Sequence, residues 1–331
     1  MSVLHGVRLS LDERSARLLS PWLTSAVSYG VGIPSPEIRV RVDLAGTPPV
    51  SQVVAEEAAA WLGLTADGVI LSDYSGSWFT VGGSPPVICG VLARTPESAD
   101  EPPRYLLQSA LLLALCAIGV YELHAAGLCT TDRALLLVGE SGAGKSTTAT
   151  ALASAGCRYL GDDGLMIRRR ADDVELFAHS PLFRLTENSL ARFKALQGHA
   201  SSDADGKWRF DASLAFPNRY LTYWRGPTAL LFLARSSGRA SVLSDLAPAE
   251  AVGLLVEQSS AFGLDAHSTP RQHLDLLAQL VARSYVARLE LGSEWLDDPA
   301  GAAQRLLERT QSFSHTRVNQ MIPPSAGHGS L

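Results

Sequence analysis

Apolar and polar residues alternate through the first third of the chain, and continuous apolar runs take over after it. In Glu37-Ile-Arg-Val-Arg-Val-Asp, Ile38, Val40 and Val42 share one face and Arg39 and Arg41 the other, the period-two signature of a half-buried strand. Trp78-Phe-Thr-Val reads the same way. Turn signals separate such segments: Val31-Gly-Ile-Pro-Ser-Pro, Ala45-Gly-Thr-Pro-Pro, Asp73-Tyr-Ser-Gly-Ser and Gly82-Gly-Ser-Pro-Pro. Residues 1–104 are therefore expected to form a β-rich (α+β) domain, mainly antiparallel and serving recognition. A polar, proline-containing connector closes it, and the apolar stretch Tyr105 to Leu123 reads as a helix.

From Leu123 onward the period changes repeatedly. Ala134-Leu-Leu-Leu-Val reads as a strand, Ser146 to Ala155 as a helix, and Arg158-Tyr-Leu as a strand. A hairpin joins Met166-Ile-Arg to Val174-Glu-Leu-Phe, its Arg168-Arg-Arg170 cluster read as solvated. A strand over Thr228 to Ala234, a helix over Gln272 to Arg283 and a strand over Tyr285 to Leu291 follow. Such alternation predicts an α/β domain over 105–311. Residues 312–331, polar and aperiodic, read as a disordered tail.

Composition narrows the function classes. With 46% hydrophobic and 18% charged residues among 331, the chain can bury a sizeable core. Its 28 basic and 33 acidic residues give a net charge of −5, which argues against capture of nucleic acid or an anionic membrane by a broad basic surface. The apolar run from Leu106 to Tyr121, interrupted by Gln108 and Ser109, falls short of the roughly 20 residues that span a bilayer. Cys89, Cys116, Cys129 and Cys157 form no C-x-x-C pair, which fits buried thiols in a reducing compartment. The N-terminal segment lacks a basic stretch followed by an apolar one, so a cytoplasmic protein is expected.

The strongest chemical signal is Gly139-Glu-Ser-Gly-Ala-Gly-Lys145-Ser146, which matches the phosphate-loop pattern G-x-x-x-x-G-K-[ST] with a strand ahead and a helix behind. In that pattern Gly139, Gly142 and Gly144 let the backbone of Ser141, Ala143, Lys145, Ser146 and Thr147 turn N–H groups toward phosphate oxygens. The helix N-terminus adds a positive dipole end. Lys145 would reach the β and γ phosphates and the Ser146 hydroxyl would ligate Mg²⁺, so ATP and Mg²⁺ are the expected cofactors. Asp162-Asp163 follow closely, Asp163 standing 18 positions after Lys145. Gly-Asp-Asp-Gly is good turn chemistry, but two acids beside a nucleotide can also divide the work, one holding Mg²⁺ and one accepting the proton of an attacking hydroxyl.

The run from Gly139 to Asp163 resembles the core of the HPr kinase/phosphorylase family and its HPr-kinase-like relatives. His124-Ala-Ala-Gly is similar to the family's histidine-bearing strand, and His124 stands 21 positions before Lys145, as in the family. The resemblance implies an α/β P-loop kinase domain of HPr-kinase type, with Asp163 as proton acceptor, Asp162 as its metal-side partner, Ser146 as Mg²⁺ ligand and His124 in the catalytic constellation. It also implies homo-oligomers. The match covers 124–167; after Pro181 the family's Arg-Gly-rich signature is not recognisable. Near its place, Phe183-Arg-Leu-Thr-Glu187 offers Glu187 as a second Mg²⁺ carboxylate and Arg184 as a phosphate clamp, with Arg219 or Arg225 as a later arginine. The departure points away from HPr and toward divergent relatives that phosphorylate serine in a peptide or protein, or a small hydroxylated molecule. An ATP-binding recruitment module that transfers nothing is the alternative from another class.

Overall fold

The computed structural model describes residues 2–4, 7–23, 37–49, 51–56, 60–97, 103–202, 206–259 and 270–311. The Val31 to Pro36 turn and the 312–331 tail lie outside the described residues. The architecture is mixed α/β with several sheets.

The first sheet has eight strands: β1 (Ser2–Leu4), β2 (Val7–Leu11), β3 (Glu37–Asp43), β4 (Gln52–Glu56), β5 (Ala60–Thr65), β6 (Gly68–Asp73), β7 (Trp78–Gly82) and β8 (Val87–Val91), in the order β1-β2-β3-β8-β7-β6-β5-β4. Ile38, Val40 and Val42 are buried and Arg39 and Arg41 exposed, as the alternation requires. Two pairings, β2 with β3 and β3 with β8, are parallel. The helix Glu13–Leu23, which sequence patterning missed, lies between β2 and β3 in the chain, as a parallel connection demands.

The helix Pro103–Ala117 packs against β6, β7 and β8. Its Leu106, Leu107, Ala110, Leu111, Ala114 and Leu115 share one apolar core with the sheet and with Val120, Met166 and Phe177 beyond it, so the core runs across the sequence connector. The expected helix from Tyr105 to Leu123 is cut short. Gly119, at φ +76°, ends it in the left-handed conformation, and β9 (Val120–Leu123) pairs instead with β13 (Leu165–Arg170). β-Branched and aromatic residues at Val120 and Tyr121 favour that outcome.

The central sheet comprises β10 (Ala125–Cys129), β11 (Ala134–Val138), β12 (Arg158–Gly161), β19 (Thr228–Arg235), β20 (Val242–Asp245) and β21 (Ser284–Leu291), in the order β12-β10-β11-β19-β21-β20. β11, β19 and β21 run parallel; their neighbours are antiparallel. Both faces are covered. Leu135, Leu137, Leu231 and Leu233 pack with the helices Lys145–Ser154 and Pro299–Gln311. Leu136, Val138, Leu230 and Phe232 pack with Pro248–Glu257 and Pro270–Arg283. Two-sided burial is why these strands read as unbroken apolar runs.

β9 and β13 continue into β14 (Asp173–Ala178) and β18 (Tyr223–Arg225), and a small sheet joins β15 (Leu182–Leu185), β16 (Ser201–Ser202) and β17 (Trp208–Asp211). Among the described residues, no helix is long and apolar enough to cross a membrane.

The β13–β14 hairpin corrects the solvated reading for Arg168 and Arg170, while Arg169 between them is exposed. Arg168 and Arg170 pair with the carboxylate of fully buried Glu175 at 2.6 and 3.1 Å, and the Tyr223 hydroxyl donates to it at 2.9 Å. Burial pushes the Glu175 carboxyl up, but Arg168, Tyr223 and Arg170 together outweigh it and hold the group below its ordinary value. Glu175→Ala takes the buried carboxylate away from Arg168 and Arg170 and should cost about 3–5 kcal/mol in urea denaturation at pH 7. A group with a depressed pKa stabilises above its unfolded value and loses that contribution as pH falls through the folded one. The wild-type advantage should therefore shrink below about pH 4. A cost under about 1 kcal/mol would show the hub to be dispensable.

Candidate active site

The segment between β11 and the helix Lys145–Ser154 turns through three glycines with positive φ: Gly139 (155°), Gly142 (82°) and Gly144 (108°). Gly144 is the helix N-cap, and a Cβ there would lie 2.9 Å from Leu291 Cδ1 at the end of β21. Conformation and close approach both demand glycine. No side chain caps the helix, so its first N–H groups face the loop. Lys145 is buried and folds back, its Nζ donating to the Gly139 carbonyl at 2.6 Å and the Glu140 carbonyl at 3.1 Å. Burial lowers its pKa while nearby Asp162 and Asp163 oppose that shift. Ser141 lies on the exposed crest, and Ala143 packs partly into the core.

β10 starts opposite the end of β11, Ala125 facing Val138, and Gly161 of β12 pairs with Gly127. This brings His124, Asp162 and Asp163 to the edge where the loop begins. Asp162 is 5% exposed, and its Oδ1 has no hydrogen-bond partner among the described residues. Burial first, and the Asp163 charge with it, raise its carboxyl to about 6 against the lowering influence of the Ser146 hydroxyl, the Asp163 backbone and Lys145. Asp163 differs in every respect: its side chain is 74% exposed and its backbone is left-handed at φ +66°.

His124 Nδ1 lies 2.7 Å from the Asp163 carbonyl oxygen and 3.4 Å from Asp163 Oδ1. A carbonyl only accepts, so Nδ1 donates in this bond. The His124 N–H donates to the Gln258 carbonyl at 2.8 Å, which fixes the residue from a second side. Gly-Asp-Asp-Gly is thus both a turn and part of the site. Beneath it Tyr159, fully buried, keeps its proton far above the ordinary range through burial and through Asp162, and its hydroxyl lacks a partner among the described residues.

The other expected residues make contacts of their own. Thr147 Oγ1 lies 2.9 Å from Ser189 Oγ, tying the helix to the segment 186–190 on its flank. The Glu187 carboxylate accepts from Trp208 Nε1. Among the described residues, no three His, Cys, Asp or Glu side chains converge as a metal-binding group. Arg219 donates to the Ala153 carbonyl at 3.0 Å, at the far end of the helix from the loop, and Arg225 pairs with Asp173 at 3.3 Å. Neither stands at the loop. Arg184 lies on β15, opposite Arg209.

The arginine that does stand there is Arg235, at the end of β19, which sequence reasoning missed. Its Nε and Nη2 donate to the Gly142 carbonyl at 3.0 and 2.6 Å. It borders a cleft of about 630 Å³ formed with Glu140, Gly142, Phe232, Leu254 and Gln258. The available signal was its position: ligands in α/β sheets gather at the C-terminal ends of parallel strands.

No family model matches the chain, and no curated protein matches it. Among solved structures it is similar to the Hpr(Ser) kinase/phosphatase from Coxiella burnetii at a TM-score of 0.30 and 10% identity, over 58% of this chain and 99% of that one. A superposition that loose describes neither site nor substrate.

Asp162 gives the site a measurable pH signature. Its folded pKa of about 6 exceeds the unfolded value, so its contribution to stability is fully present below about pH 4 and lost as pH rises through about 6. In metal-free protein, Asp162→Asn should exceed wild type in stability at pH 7.5 by on the order of 2 kcal/mol, with the difference vanishing toward pH 4. Urea denaturation at the two pH values reads this directly. Equal stability at pH 7.5 would mean that the carboxylate is solvated.

Proposed function

We propose that the chain is an ATP- and Mg²⁺-dependent phosphotransferase of HPr-kinase type that passes the γ-phosphoryl group to a hydroxyl, namely a serine of a peptide or protein. The observation that carries this reading is the gathering, at one sheet edge, of a glycine loop opening a helix, a lysine folded into it, and two adjacent carboxylates in opposite environments. The donor set fits Mg²⁺: the orphaned Asp162 Oδ1 and the neighbouring Ser146 hydroxyl are hard oxygens. Bound there, the ion would neutralise charge on the phosphates.

The chain's own groups do the rest. Loop N–H groups and the uncapped helix N-terminus bind the phosphates, and Lys145 leaves the Gly139 and Glu140 carbonyls to meet them. Exposed Asp163 accepts the proton as the serine oxygen bonds to the γ phosphorus and the bond to the β–γ bridging oxygen breaks, releasing ADP. His124 steadies Asp163 through its backbone carbonyl, which holds the left-handed turn that presents the carboxylate.

Radiolabelled Mg-ATP offered with serine-containing peptides, and separately with small hydroxylated compounds, tests the assignment. Label in a peptide supports it, label only in a small molecule moves the acceptor, and ATP binding without transfer leaves a recruitment module. Lys145→Ala should lower transfer by about 10²-fold or more. Asp163→Asn, which tolerates the left-handed backbone, should lower it by roughly 10²–10⁴-fold with ATP affinity within a few fold. Wild-type transfer by a folded Lys145→Ala protein would remove the loop from the active site.

A further inference from the structure

Three loop carbonyls are held by two cations. Lys145 takes those of Gly139 and Glu140, and Arg235 takes that of Gly142 through two nitrogens. The Ala143 N–H donates to the Glu140 carbonyl at 3.1 Å, so both ends of the 142–143 peptide plane are engaged. Lys145 cannot keep its loop contacts and also reach a phosphate chain. Once it leaves, Arg235 is the side chain still fastened to the loop's crest.

Gly142 needs such a fastening. Its φ is +82°, in the left-handed region, and it carries no Cβ to restrict the torsions about its Cα. Rotation would swing the Gly142 carbonyl toward the space where an anion must sit, replacing attraction by repulsion. Arg235 is well placed to prevent this. It ends a strand hydrogen-bonded on both sides, Phe232 facing Val138 and Arg235 facing Leu291, and the next N–H, from Ser236, donates to the Leu291 carbonyl at 3.0 Å. Among the described residues no carboxylate pairs with it, whereas Arg288 in the same cleft is paired with Glu250 at 2.6 Å. Both charge and fork are therefore directed at the loop.

We infer that Arg235 is a positioning residue of this phosphate site: it pins the Gly142 carbonyl outward and keeps the loop in its anion-receptive shape after Lys145 departs. The inference rests on the proposed nucleotide-binding function. Its role is separable from simple charge attraction because glutamine places an amide nitrogen where arginine has Nε. Arg235→Gln thus retains a donor without the charge, while Arg235→Lys retains the charge without the fork.

Calorimetric titration of the full-length protein with a non-hydrolysable ATP analogue and Mg²⁺, beside steady-state transfer kinetics, tests this. Arg235→Ala should weaken nucleotide binding about tenfold or more and raise KM for ATP in step, with kcat within about twofold and an unchanged melting temperature. Arg235→Gln should recover most of the affinity and Arg235→Lys less. Wild-type affinity in all three variants would overturn the positioning role. So would full recovery by lysine with none by glutamine, which would leave a bare charge effect. Wild-type protein that binds no nucleotide would overturn this role and the proposed function together, which separates the two failures.

Discussion

Strand β11 has both faces buried, so the height at which it ends fixes what stands above it. Leu135 and Leu137 belong to one core and Leu136 and Val138 to the other. A slip of one residue would exchange the two sets and disturb both cores. Parallel pairing then carries that height across β19 and β21, bringing Gly139, Arg235 and Leu291 to a common edge. Antiparallel pairing does the same on the other side, where β10 begins just after His124 and β12 ends just before Asp162. Residues far apart in the chain meet there because the cores allow one register.

The same edge concentrates unfavourable local arrangements. Asp162 Oδ1 and the Tyr159 hydroxyl are buried without partners among the described residues, and Asp163 adopts a left-handed backbone, all within one short stretch. Each costs on the order of 1–3 kcal/mol in isolation. Such costs persist only where surrounding structure over-determines them. Here the surroundings include the His124 bond to the Asp163 carbonyl and aromatic packing of Tyr159 against Phe183 and Phe216. The local penalty is thus borne by a scaffold in which buried Glu175 is itself paired with two arginines.

What the sequence made legible was what is local. Two-sided burial writes itself as continuous apolar runs in β11 and β19, which were read within a residue or two of their observed bounds, as was β21 with its alternating Arg288 and Glu290. The glycine loop, with its lysine, was likewise readable because φ preference and spacing lie within eight positions. The left-handed Gly119 was missed because apolar residues continue across it, and hydrophobic pattern alone does not distinguish helix from strand in so short a run. Arginines were the least readable. Arg219, Arg225 and Arg235 are alike in composition and neighbourhood, yet one caps a helix, one pairs on a hairpin and one holds the loop. Which strand end adjoins the loop decides this, and that is a matter of topology.

Asp162 and Asp163 show how neighbours acquire different environments. The extended end of β12 sends one side chain inward, and the left-handed turn at the next residue sends the other out. Burial makes ionisation of Asp162 costly, with its carboxyl at about 6, so a cation drawn to its free oxygen must displace a proton at lower pH and is favoured as pH rises. Asp163, by contrast, has its side chain 74% exposed to water. Side-chain identity does not explain the contrast, since both residues are aspartate. The difference lies in where the backbone puts them, which makes His124, through its grip on the Asp163 carbonyl, as much a part of the division as the carboxylates.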